Sequence, residues 1–212
     1  MLKMVAFDLD GTVCNTIPLC IETFLVALAP YTDYELTDKD IINSFGLNET
    51  GMVKKLVSNN WKSALNDFYF YYDKFHKKCT EPYTGIRELI KWLKKNNIMV
   101  SLITGKGEKS CKITLNKIGM EEEFQEMLYG SEKNFNKSQS IQKLLRKYNL
   151  KKSELIYIGD ALSDIAACDK VGIICLSAAW DENSDWRKLE KANPKHIFKS
   201  IHELKLYIQE TL

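Results

Sequence analysis

The chain has 212 residues, 45% hydrophobic and 27% charged, with a formal net charge of +2. That length accommodates one α/β core plus a small insertion, and the composition is that of a globular domain rather than a disordered or fibrous chain. The near-neutral balance offers no electrostatic case for nucleic acid or an anionic membrane as partner, and no apolar run approaches the ~18 residues of a membrane span.

The first predicted element is the apolar run Met4 to Phe7, which ends in Asp8-Leu9-Asp10-Gly11-Thr12. It reads as a buried strand that delivers two carboxylates to its carboxyl end, with Gly11 letting the chain turn away. Side chains alternate on a strand, so Asp8 and Asp10 start on one side. Two like charges that close require a cation or a shared proton. The sharp reading is a metal site with a nucleophilic carboxylate; the plain one is an Asp-Gly turn after an edge strand.

Asn15 and Thr16 then read as caps of a helix with Pro18 in its first turn. Leu19, Thr23, Val26 and Ala27 share its expected buried face. Thr37 and Asp40 have the form of a capping box, and Gly46, Asn48 and Gly51 are expected to break the chain around a further turn. From Trp61 to Lys78, Leu65, Phe68, Tyr69, Tyr72 and Phe75 recur at helical spacing. These aromatics are expected to form the core of an all-helical insertion over residues 15–80.

Beyond Glu81-Pro82-Tyr83, helix and strand alternate. Thr84 is expected to cap a helix with Ile86, Leu89, Ile90 and Leu93 on one face. Strands are expected at 98–103, 127–130, 155–159 and 173–176, with a helix between each successive pair, then a short extended piece at 196–198 and a terminal helix. Alternation with short loops implies right-handed βαβ units and a parallel sheet covered on both faces. The expected architecture is a Rossmann-like doubly wound core, residues 1–14 and 81–212, with the helical unit inserted. The later strands lead into Thr104-Gly105-Lys106, then Gly130-Ser131 with Lys137 downstream, then Gly159-Asp160 followed by Asp164. Ligands of open parallel sheets sit beyond the carboxyl ends of the strands, so these groups would meet Asp8 and Asp10 in one polar cluster.

In this order, D-x-D-G-T, a hydroxyl residue, a lysine and G-D-x-x-x-D resemble the motifs of the haloacid dehalogenase superfamily, with its phosphoglycolate phosphatase-like members nearest. The resemblance covers nearly the whole chain. It implies a Mg²⁺-dependent phosphatase acting on a small phosphorylated metabolite through an aspartyl-phosphate, with a helical cap over the site. In that pattern Asp8 is the nucleophile and Asp10 the general acid and base. Thr104, Gly105 and Lys137 bind the phosphate, helped by backbone amides after Thr104. The metal is held by Asp8, Asp10 and Asp160, with Asp164 as a further candidate that could instead brace its helix. Lys106 is left open between substrate contact and surface.

Three departures from the family pattern bear on substrate: Asn15 where many relatives have aspartate, no proline after Lys137, and Asp181 rather than glycine after Trp180. A pyrophosphatase, a nucleotidase and a sugar-phosphate mutase are the alternatives on the same fold. A haloacid dehalogenase would need neither Asp10 nor the metal, and a non-catalytic binding protein would not need the intact motifs. Six dispersed cysteines without a C-x-x-C pair and no secretory apolar region imply reduced thiols and a cytoplasmic protein, a monomer or small homo-oligomer.

Overall fold

In a computed structural model, which describes residues 1–133 and 136–211, six parallel strands form one sheet in the order β3-β2-β1-β4-β5-β6. They are β1 (Met4–Phe7), β2 (Met99–Ile103), β3 (Glu126–Leu128), β4 (Leu155–Gly159), β5 (Ile174–Ala178) and β6 (Ile197–Phe198). Ten α-helices accompany them among the described residues: α1 (Ile17–Leu28), α2 (Asp38–Ile42), α3 (Glu49–Leu56), α4 (Trp61–Phe75), α5 (Ile86–Lys95), α6 (Glu108–Lys117), α7 (Lys137–Lys147), α8 (Leu162–Val171), α9 (Trp186–Ala192) and α10 (Ile201–Thr211). This is the doubly wound fold expected. None of the helices is long and apolar enough to cross a membrane.

β1 lies at the centre, in register with β2 from Met4 opposite Met99 and with β4 from Met4 opposite Leu155. Chain direction reverses its walk across the sheet between β3 and β4, so the crevice where strand order switches opens at the carboxyl end of β1. Both faces of β1 are covered because its side chains alternate. Val5 and Phe7 enter one apolar cluster with α5, α6 and α10. Met4 and Ala6 enter the other, with Ile141, Leu144 and Ile165 of α7 and α8.

The segment between β1 and α5 is helical, and its core is continuous with the first cluster. α1 packs on α4 through Phe24 and Phe68, ring centroids 4.4 Å apart. Phe68 stacks on Tyr72 at 5.5 Å, and Tyr72 meets the edge of His76 at 5.2 Å. Fully burying such a ring stabilises by roughly 1.5–3 kcal/mol, so this line of aromatics holds the helical unit together.

Local expectations failed where a tertiary partner outbid the local one. Gly51 lies inside α3 rather than in a turn, because a Cβ there would stand 2.3 Å from the Glu132 carbonyl oxygen. Val26 is 39% exposed; Cys20 and Phe24 take the buried face instead. α5 is preceded by Gly85 at φ +99°, and Thr84 does not cap it. The Thr37–Asp40 capping box is present at α2. α4 ends at Phe75 and tightens into a 3-10 turn over His76–Lys78. α9 was not read from the sequence at all, and β3 ends at Leu128, two residues before the expected limit.

Candidate active site

The site is built outward from Asp8, the first residue after β1. Its backbone N–H donates to the Ile158 carbonyl oxygen, extending the ladder to β4. One carboxylate oxygen accepts from the Leu9 N–H at 2.8 Å and the other from Lys137 Nζ at 2.5 Å. The same ammonium reaches Asp164 at 2.5 Å, while the second Asp164 oxygen accepts from the Ala161 N–H and caps α8. Asp164 therefore serves Lys137 and its own helix together.

Asp160 follows β4 and accepts from the Thr12 hydroxyl at 3.1 Å. The close approach of the two loops depends on Gly11. Its φ is +72°, and a Cβ would lie 2.3 Å from Asp160 Oδ2. Gly159 is required likewise, since a Cβ there would lie 2.4 Å from Asp164 Oδ2. Carboxylate oxygens of Asp8, Asp160 and Asp164 come within 4.8 Å of one another.

Charge in this cluster is unbalanced. Burial, with the charges of Asp164 and Asp10 adding, pushes Asp8 up to about 7 despite the pull of Lys137. Burial, then the charges of Asp8 and Asp164, hold Asp160 well above the usual carboxylate range. Burial also opposes the Lys137 cation, but Asp164 and Asp8 outweigh it and raise the lysine above its ordinary value. Three carboxylates thus share one ammonium. A hard divalent cation relieves that imbalance, and an all-oxygen donor set suits Mg²⁺.

Asp10 faces the other way. One of its oxygens takes the Thr16 hydroxyl and, at 3.1 Å, Lys106 Nζ. Thr16 precedes α1 but makes no side-chain cap to it; its hydroxyl is spent on Asp10. Lys106 is 5% exposed, so it is not a surface residue. Its Nζ lies 4.7 Å from the centroid of the Tyr72 ring, on α4. Asp10, Cys20, Tyr72 and Glu49 raise its pKa against the opposing effect of burial.

Thr104 is fully buried, and its hydroxyl accepts from the Lys106 N–H at 3.1 Å. The Gly107 N–H donates to Glu49 at 2.9 Å. Two of the amides expected to cradle phosphate therefore already have partners inside the protein. Gly105, Lys106 and Lys137 line the cavity above Asp8, whereas Thr104 lies beneath its surface.

Glu49 was not singled out from the sequence. It is 3% exposed, and its carboxylate accepts from both the Gly107 N–H and the Ser110 hydroxyl, joining α3 to the start of α6. An acidic residue in the first turn after a capping Asn48 is an ordinary helix-start signal, and nothing in the spacing marks it as a contact to another helix. Asp181 has a role as well: it accepts from the Tyr83 hydroxyl, while Trp180 Nε1 donates to the Thr12 carbonyl oxygen at 3.1 Å. Together they tie the end of β5 to the loop after β1 and to the segment that leads into α5.

The chain is similar in sequence and fold to known proteins. The haloacid dehalogenase-like hydrolase family model matches residues 5–178. A pyrophosphatase PpaX from Halalkalibacterium halodurans is 28% identical over 174 residues, 81% of each chain. A phosphoglycolate phosphatase from Pseudomonas syringae pv. tomato is 24% identical over 95% of this chain and 78% of its own. Among solved structures, CbbY from Rhodobacter sphaeroides in complex with phosphate superposes with a TM-score of 0.77 at 14% identity, covering 96% of both chains. A haloacid dehalogenase-like hydrolase from Streptococcus pneumoniae gives 0.75 at 19% identity over 98% of this chain and 99% of its own. With a match across most of its length and the motif aspartates gathered at the end of β1, this chain belongs to the haloacid dehalogenase-like hydrolases.

Proposed function

We propose that the protein is a Mg²⁺-dependent phosphatase that hydrolyses the phosphate monoester of a small metabolite through an aspartyl-phosphate on Asp8. The observation that carries this reading is the cluster of Asp8, Asp160 and Asp164, in which the ammonium of Lys137 is bonded to Asp8 and Asp164. Such a cluster is costly unless it serves a ligand that brings cations and phosphoryl oxygens to it.

Asp8 attacks phosphorus in line while the ester P–O bond breaks, and Asp10 gives a proton to the departing oxygen. In the second step Asp10 takes a proton from water, whose oxygen attacks the acyl phosphate and frees inorganic phosphate and Asp8. Lys137 offsets negative charge between the Asp8 carboxylate and the phosphoryl oxygens, most of all in the transition state. Gly105 lines the phosphate end of the cavity; Thr104 acts from beneath by shaping the turn that carries Lys106. Thr16 and Lys106 fix the Asp10 carboxylate on the leaving-group side. Asp8, Asp160 and the backbone carbonyl of Asp10, with Asp164 behind Lys137, would hold Mg²⁺, which when bound offsets the charge of phosphate and nucleophile and polarises a phosphoryl oxygen.

Residues 15–80 serve as the cap over a catalytic core of residues 1–14 and 81–212, and exclude water when closed. Glu49 and Asn48, which bond to the core at Gly107 and Gly130, support that role. The six free, buried thiols support a reducing compartment such as the cytoplasm. A pyrophosphatase is the second reading, favoured by the similarity to PpaX proteins.

A screen of phosphorylated metabolites, with Mg²⁺ and after metal removal with EDTA, tests the proposal. Release of phosphate that needs Mg²⁺ and is lost in Asp8→Asn is the expected result. Undiminished turnover in either condition overturns it.

A further inference from the structure

The cavity above Asp8 has a volume of about 720 Å³ and two unlike walls. The sheet side is charged. The helical side presents Ile17, Cys20, Phe24, Phe45, Leu47 and Met52. Its one charged residue on that wall, Glu49, already accepts from the Gly107 N–H and the Ser110 hydroxyl. Among the described residues the helical wall therefore offers no cation to a substrate. The interior lysines are also matched: Lys137 by Asp8 and Asp164, Lys106 by Asp10. Lys170, the remaining lysine on the cavity lining, is exposed near the end of α8.

The direction of the leaving group follows from Asp10. The ester oxygen must face that carboxylate, which is bonded to Thr16 at the foot of α1. Ile17 follows in the first turn of α1 and is half-buried, while Cys20 and Phe24, at spacings of three and four beyond it, are buried behind it, Phe24 against Phe68. Phe45, 41% exposed, and Leu47 extend the apolar surface from the loop between α2 and α3. A second phosphate or a carboxylate lying on this surface would lose its hydration without gaining a cation that is not already matched by a carboxylate.

We infer that the organic group of the substrate is uncharged and largely apolar: a phosphate monoester of an aromatic or branched aliphatic alcohol, lying against Ile17, Phe45 and Leu47. The inference rests on the phosphatase reading and narrows it away from glycolate and pyrophosphate. A cavity of this volume is in the range of roughly 300–1,000 Å³ that encloses ligands well beyond a two-carbon acid.

The test is kcat/KM of the full-length protein with Mg²⁺ on benzyl phosphate, phosphoglycolate and pyrophosphate. Benzyl phosphate and phosphoglycolate are both esters of primary alcohols, so leaving-group chemistry is comparable and wall contacts differ. Benzyl phosphate is expected to lead by at least about tenfold, the value of part of a buried ring. Phe45→Ala is expected to lower the benzyl-to-glycolate ratio about tenfold, chiefly through KM, since the lost contact exists in ground and transition state alike. Phe45→Lys should reduce that ratio further by supplying the missing cation. Higher kcat/KM on phosphoglycolate or pyrophosphate overturns the inference while leaving the phosphatase reading intact. An unchanged ratio in Phe45→Ala also overturns it. If none of the three is hydrolysed and a broader metabolite screen releases no phosphate, both readings fall together.

Discussion

The two walls of the cavity were assembled by different rules. On the sheet wall, each functional group stands at the end of a strand or the start of the next helix: Asp8 after β1, Lys106 after β2, Lys137 at the start of α7 and Asp160 after β4. Strand ends in a parallel sheet converge by geometry, so a few residues of sequence suffice to gather them. On the helical wall, the lining comes from one stripe of α1, a loop and one turn of α3, and its position depends on how helices pack. The charged wall is thus written in short motifs and the apolar wall in tertiary packing.

Removing the group at the centre of the charged wall should have the largest effect. Asp8→Asn lacks the proposed nucleophile, and turnover should fall by more than about 10³-fold while circular dichroism and thermal unfolding remain close to wild type. Retention of phosphatase activity in the purified variant would show that the carboxylate is not the attacking group.

Gly11→Ala tests whether the charged wall depends on backbone placement. The added Cβ would meet Asp160 and sit at φ +72°. A displacement of about 1 Å at a reacting centre can lower kcat by roughly 10²-fold, and that is the expected loss, with KM less affected. An active Gly11→Ala with unaltered Mg²⁺ dependence would mean that the Gly11–Asp160 approach is not needed for metal binding.

Glu49→Gln probes the seam between the walls. The amide can accept from only one of Gly107 N–H and Ser110 Oγ–H through its oxygen, and the loss of a charge-assisted bond should cost about 1.5–3 kcal/mol. Denaturant unfolding should register the loss, and hydrogen exchange at the Gly107 amide should quicken. Equal protection at Gly107 in both proteins would remove Glu49 from the contact.

The smallest effect concerns the helical side. His76 is fully buried, bonded to Thr114 and to the Cys79 carbonyl oxygen, and burial lowers its pKa from 6.5. The unfolded chain therefore takes up this proton first as pH falls. Its contribution is complete above about pH 6.5 and is lost as pH drops through the lower folded value. His76→Phe should be less stable at pH 7.5 but show a flatter decline of Tm between pH 6.5 and 5. Parallel declines in the two proteins would assign the acid sensitivity to other groups, of which His196, also lowered by burial, is the first to examine.

Sequence alone determined the alternation of strands and helices apart from α9, the parallel core and the aspartates that follow β1 and β4. Hydrophobic period and turn chemistry are local, and Asp8-Leu9-Asp10-Gly11 or Gly159-Asp160 carry their meaning within a few residues. Tertiary structure decided what each polar group does. Thr16 has the form of a helix cap but bonds Asp10; Lys106 could have been a surface lysine but is buried against the same carboxylate; Gly51 resembles a turn residue but admits the Glu132 carbonyl into contact with α3. Each choice is a competition between a local partner and a distant one. Because the distant partner is brought near only when helices pack on the sheet, no window of sequence contains both terms of the comparison.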